Sequence, residues 1–159
     1  MMNLSYSTTK RSWRSCFQNL LILVCFMLCY ANVTAQLAKH RWQDRVILVF
    51  AAAPTDSLFQ QQIQHLEQDM AGLEERDLVI YQLLETQAFD PKQQALDKKV
   101  VEQLRKKYEA PIDVFTTILI GKDGGEKLRV KYKILDRELL YATIDAMPMR
   151  RAEMKRKKQ

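Results

Sequence analysis

The chain has 159 residues, with 25 lysines and arginines against 19 acidic residues for a formal net charge of +6. All three cysteines, Cys16, Cys25 and Cys29, lie near the start, so a chain cut after residue 35 can form no disulfide, run no thiol chemistry and bind no metal through sulfur. The basic excess is local, since residues 36–149 hold 16 basic and 18 acidic side chains while "RRAEMKRKKQ" (150–159) holds six basic and one acidic; with no basic face interleaved with aromatics, nucleic-acid binding is not expected.

Lys10, Arg11 and Arg14 precede an apolar run from Leu20 to Ala31, and Val33 and Ala35 follow at the small-residue spacing of a cleavage site. That pattern predicts a secretory signal peptide over residues 1–35 and a periplasmic or extracellular protein. An uncleaved membrane anchor is the alternative, although the run is shorter than the ~20 residues of a comfortable span. Cleavage leaves Gln36 to Gln159, 124 residues, enough for one domain of ordinary size. We read residues 36–149 as that domain and 150–159 as a basic tail.

The first strand is "RVILVF" (Arg45 to Phe50), continuous enough to be buried on both faces. Pro54, Thr55, Asp56 and Ser57 then form a turn. A helix follows, with a stripe of Phe59, Ile63, Leu66, Met70 and Leu73, capped by Thr55, Asp56 or Ser57. "LVIYQLL" (Leu78 to Leu84) is the second strand. Leu96, Val100, Val101, Leu104 and Tyr108 make the stripe of a second helix, bounded by Pro91 and Pro111. "FTTILI" (Phe115 to Ile120) is the third strand, and "GKDGGE" (Gly121 to Glu126) a hairpin turn rather than a phosphate loop, because no helix follows it. In "KLRVKYKI" (Lys127 to Ile134), Leu128, Val130, Tyr132 and Ile134 alternate with Arg129, Lys131 and Lys133, the pattern of an edge strand with one wet face. A last helix starts near Asp136, turns Leu140, Ile144 and Met147 inward, and is kinked or interrupted at Pro148. The result is an α/β domain with a four-stranded mixed sheet in the order β-α-β-α-β-β-α. Its first two strands are parallel and its last two antiparallel.

That order is the core of the thioredoxin fold. In addition, "HRWQDRVILVFA" (His40 to Ala51), "ERDLVIYQL" (Glu75 to Leu83), "LIGKDGGEKLR" (Leu119 to Arg129) and "IDAMPMRRAEM" (Ile144 to Met154) resemble the secreted domain of unknown function 4174 family. The same peroxiredoxin-like module is similar to C-terminal segments of animal sushi-repeat and extracellular-matrix proteins. The resemblance implies a thioredoxin-like, extracytoplasmic domain and brings no established catalytic residues.

In thioredoxin-type proteins the junction of the first strand and helix carries a nucleophilic cysteine, because the helix N-terminus stabilises a thiolate. Here the junction offers Pro54, Thr55, Asp56 and Ser57, with no thiol. Thr55 or Ser57 would need a base to act as a nucleophile. His40 lies before the first strand and His65 two turns down the helix, so we read the turn as a cap, with a non-thiol enzyme as the alternative. Phe115 stands where a cis-proline would precede the third strand. No metal site or cofactor is expected.

The remaining candidates are surfaces. Arg129, Lys131 and Lys133 could contact an anionic partner or block edge-to-edge association. Trp42 either packs against the sheet or serves as an exposed recognition aromatic. In the tail, Arg150, Arg151, Lys155, Arg156, Lys157 and Lys158 could touch lipid headgroups, cell-wall polymers or glycans, or act only as a solubilising terminus. The functional expectation is an exported thioredoxin-fold module without redox cysteines, which binds or supports an unidentified protein or anionic surface. An accessory that docks redox partners without reacting is a further alternative.

Overall fold

Strand β1 (Arg45–Phe50) is buried along its whole length, as its unbroken apolar run requires, and the sheet is built outward from it. The structure is a computed structural model that describes residues 36–157, so the expected signal peptide and Lys158 lie outside the described residues. On one side β1 pairs in parallel with β2 (Leu78–Leu83), which pairs with the two-residue β3 (Ala88–Phe89). On the other it pairs antiparallel with β4 (Thr116–Ile120), which carries β5 (Glu126–Lys131) at the far edge. The order is β3-β2-β1-β4-β5. The sheet therefore has five strands rather than four, since a two-residue strand carries no periodicity to read.

The register defines two ends. Phe50, Leu83, Thr116 and Lys131 lie at one, and Arg45, Leu78 and Ile120 at the other. At a rise of ~3.3 Å per residue the ends are roughly 17 Å apart.

The expected first helix is two. Helix α1 (Ser57–Glu67) buries Phe59 and Leu66, and α2 (Met70–Glu75) buries Leu73. Asp69 breaks the run by accepting from the Gly72 N–H as a new N-cap, which turns Met70 out to 58% exposure. Helix α3 (Lys98–Lys107) buries Val101 and Leu104 but also Arg105. Helix α4 (Arg137–Asp145) is capped by Asp136 and buries Leu140 and Ile144. Of the two expected effects of Pro148, interruption is the one seen: the residue opens a separate helix, α5 (Pro148–Lys157), where the missing N–H costs nothing. Among the described residues no helix is long and apolar enough to cross a membrane.

The core joins Ile47, Val49 and Leu119 of the sheet to Phe59, Leu66, Leu140 and Ile144 of the helices. Gln62, fully buried in α1, binds both backbone groups of Leu135, accepting from its N–H at 2.5 Å and donating to its carbonyl at 3.2 Å. Beyond β5 the expected alternation fails. Tyr132 has φ +62° and is 71% exposed, so it does not face inward, and Lys133 lies past the strand.

Candidate functional site

At the Phe50 end, the thiol position of a thioredoxin-type site is a helix cap. Asp56 Oδ1 accepts from the N–H groups of Leu58 (2.8 Å) and Phe59 (3.2 Å), which orphan helix donors require. Gln60 Nε2 donates to the Pro54 carbonyl, and Pro54, Thr55 and Ser57 are exposed. Among the described residues no histidine or carboxylate is hydrogen-bonded to the Thr55 or Ser57 hydroxyl. No cis peptide occurs among the described residues, and Phe115 is buried ahead of β4.

Beneath this turn lies a group that our sequence reading missed. The Arg105 guanidinium donates to the carbonyls of Ala51 (2.6 Å), Leu83 (3.0 Å) and Pro111 (3.2 Å), and stacks over the Phe50 ring at 5.4 Å. It ties the ends of β1 and β2 to α3. Burial pushes its pKa below the ordinary arginine value, with the Glu85 charge working the other way. Its position carried a signal, because Val101, Leu104, Arg105 and Tyr108 follow the i, i+3, i+4, i+7 rule of a buried face.

His40, also absent from the expected site, donates or accepts at both ring nitrogens, 2.7 Å from Asp44 Oδ2 and 2.8 Å from the Tyr81 hydroxyl. Tyr81 is fully buried, so the His40 ring ties an interior hydroxyl to Asp44.

The opposite end of the sheet concentrates charge. Arg45, at the start of β1 and 1% exposed, donates to the Arg76 carbonyl (2.8 Å) and to both Glu153 oxygens (3.2 and 3.3 Å). Lys122, just past β4, binds Asp77 (2.6 Å) and Glu153 (2.9 Å). Arg150 is equally buried and spends its whole fork, from Nε to Asp145 (3.1 Å), from Nη1 to the Glu75 carbonyl (2.9 Å) and from Nη2 to Glu75 Oε1 (2.6 Å). The Arg150 hydrogen bond and charge hold Glu75 below its usual carboxyl range. Burial alone would raise Asp145, but hydrogen bonds from Arg76 and Arg150 outweigh it, and the net shift is downward. Two recesses flank the network. One of about 190 Å³ is lined by Arg45, Lys122, Lys127, Met147, Pro148 and Met149, among others. The second, of about 280 Å³, is lined by Asp77, Arg150, Glu153, Arg156 and Lys157.

Each of the two expected basic surfaces loses an arginine to internal pairing. Arg129 is spent on Glu126 (2.8 and 2.6 Å) and the Tyr108 carbonyl (2.6 Å). Lys131 and Lys133 are exposed at the Phe50 end, while α5 is anchored at the other. Arg150 is not a tail residue available to a partner but a buried tie between α5, α2 and α4. Arg151, Lys155, Arg156 and Lys157 are exposed, and among the described residues no carboxylate lies within ion-pair distance of them. Trp42 does not pack on the sheet. It is 61% exposed at φ +67°, held by its N–H to the Lys122 carbonyl (2.7 Å), with Arg41 over its ring at 5.5 Å. Among the described residues no group of three or more His, Cys, Asp or Glu side chains is placed to hold a metal ion.

A family profile described as "Domain of unknown function (DUF4174)" matches residues 36–153. The chain is similar to Coiled-coil domain-containing protein 80 of Danio rerio, 23% identical over 133 residues that cover 74% of this chain and 15% of that protein. The match therefore spans about one seventh of the relative's length. Among solved structures the fold is similar to the reduced 2-Cys peroxiredoxin of Plasmodium vivax, with a TM-score of 0.53, 14% identity, and coverage of 74% of this chain and 84% of that one. The fold is thioredoxin-like.

Proposed function

The chain belongs to the DUF4174 family, and from that premise we propose that it is an exported, thiol-free docking module whose C-terminal helix binds an anionic surface. One observation carries this reading: the interior charges at the Arg45 end are paired with one another, and the cations left over on α5, Arg151, Lys155, Arg156 and Lys157, are exposed and form no ion pair among the described residues, although Arg156 and Lys157 also border the recess that holds Asp77 and Glu153. A helix held in place by Arg150 and Glu153 presents those charges on a rigid support, which lowers the ordering cost of binding. The Danio rerio relative, in which a similar segment is a small part of a much longer chain, is in keeping with a docking module.

The non-thiol enzyme reading is weaker, because Asp56 is committed to capping and among the described residues no base is hydrogen-bonded to the Thr55 or Ser57 hydroxyl. The test is co-sedimentation with anionic vesicles, and separately retention on a sulfated polysaccharide, across a salt series. Each basic residue near an anionic membrane contributes about 1 kcal/mol before screening. Replacing Arg151, Lys155, Arg156 and Lys157 together by glutamine is therefore expected to weaken low-salt binding by roughly a hundredfold. Equal binding by both proteins refutes the assignment. Truncation at Met149 is unsuitable, since it also removes Arg150 and Glu153 from the folded network. N-terminal sequencing of exported protein is expected to begin at Gln36.

A further inference from the structure

Arg45 and Arg150 are both 1% exposed, yet they are satisfied differently. Arg150 uses every edge of its fork at 2.6–3.1 Å. Arg45 reaches Glu153 only at 3.2 and 3.3 Å, from a single nitrogen, and its buried Nε has no acceptor. A buried donor left unmade costs about 1–3 kcal/mol; the Nε groups of Arg76 and Arg105 are in the same state, and what sets Arg45 apart is that it borders a recess. Lys122 is likewise 8% exposed, and the two carboxylates it binds leave one of its three ammonium protons without an ion-pair partner. Both cations line the 190 Å³ recess, whose other walls include Met147, Pro148 and Met149. That volume has room for several non-hydrogen atoms, given ~30 Å³ for a water in the liquid.

We propose that Arg45 and Lys122 form a binding site for a small organic anion carrying a short apolar tail, and that the Glu153 carboxylate is the internal group that competes for it. The anionic head, a phosphate monoester or carboxylate, accepts from Arg45 and Lys122 in place of Glu153, and the tail lies against the Met147–Met149 wall. Asp77 stays on Lys122, and Asp123, which also lines the recess, is neutralised by Lys127 at 2.6 Å. Release of Glu153 therefore leaves Arg45 and Lys122 to share one carboxylate, Asp77, which lies 2.6 Å from Lys122 but 4.0 Å from Arg45, and the entering anion supplies the second negative charge. This site is separate from the exposed face of α5 and does not depend on it.

The test is titration of the folded protein with hexyl phosphate and with inorganic phosphate, followed by calorimetry and amide chemical shifts. Hexyl phosphate is expected to bind at least about tenfold more tightly than inorganic phosphate, because only it buries methylene groups. Glu153→Gln removes the competing charge and is expected to tighten binding by roughly tenfold or more. Met149→Trp, at a 39% exposed position that tolerates a larger side chain, fills the recess and is expected to weaken hexyl phosphate by about tenfold, with no need to alter the charge network. The fourfold glutamine variant of α5 is expected to keep hexyl phosphate binding, which separates this proposal from the surface reading. The proposal is overturned if hexyl phosphate binds no better than phosphate, if Met149→Trp leaves its affinity unchanged, or if the α5 variant abolishes binding. It is also overturned if a folded Glu153→Gln protein shows no gain.

Discussion

Consider Arg150→Met, which keeps most of the buried stem and removes the guanidinium. Three charge-assisted hydrogen bonds disappear, to Asp145, the Glu75 carbonyl and Glu75 Oε1. Removing one member of a fully buried pair costs about 3–5 kcal/mol, because the other charge is stranded. Here the stranded carboxylates can rehydrate, since Glu75 is 54% and Asp145 32% exposed, so the smaller figure of about 2 kcal/mol applies after discounting for solvent. For a domain of this size about 1 kcal/mol moves the unfolding midpoint by ~4 °C, and we predict a fall of roughly 8 °C in thermal unfolding at pH 7. Arg156→Met, an identical change in the same helix at an exposed position without an ion-pair partner, is predicted to stay within about 0.5 kcal/mol of wild type. If the two variants unfold at the same temperature, α5 is not docked through Arg150, and the distinction between its buried and exposed cations fails.

Three further outcomes are expected. Glu75 and Asp145 have depressed pKa values, so the stability they contribute is present above their unfolded values near pH ~4 and is lost as pH falls through their lower folded values. Unfolding midpoints measured from pH 7 to 2 should therefore fall less steeply in Arg150→Met than in wild type over the acid part of the range, and parallel profiles would contradict the linkage. Gln62→Leu leaves the Leu135 N–H and carbonyl without their buried partner and should cost about 2 kcal/mol in urea unfolding; a neutral result would show that the Leu135 backbone finds water instead. Asp56→Ala removes the α1 cap and should cost about 1 kcal/mol, whereas Asp56→Asn should recover most of it, and equal loss in both would point to a role for the charge beyond capping.

Secondary structure and fold class were legible in the sequence wherever a residue's fate depends on its neighbours in the chain. Continuous apolar runs marked β1, β2 and β4 within about a residue, Asp56 and Asp136 cap the helices they precede, and Gly124 takes the positive φ of +81° that the hairpin needs. The absence of a thiol after Ala35 likewise follows from composition alone. Tertiary structure decided the fate of each arginine, because a guanidinium is buried or solvated according to which carbonyls and carboxylates distant elements bring to it. Arg45 and Arg150 look like Arg151 and Arg156 in the sequence, and only Arg105 is flagged by its place on an apolar helix face, yet Arg45, Arg105 and Arg150 all lie inside because Glu153, the ends of β1 and β2, and Glu75 with Asp145 meet them there. For the same reason only the structure could say how far apart the two basic candidates lie: the β4–β5 register carries Lys131 to one end of the sheet, and the ion pairs of Glu153 hold α5 at the other.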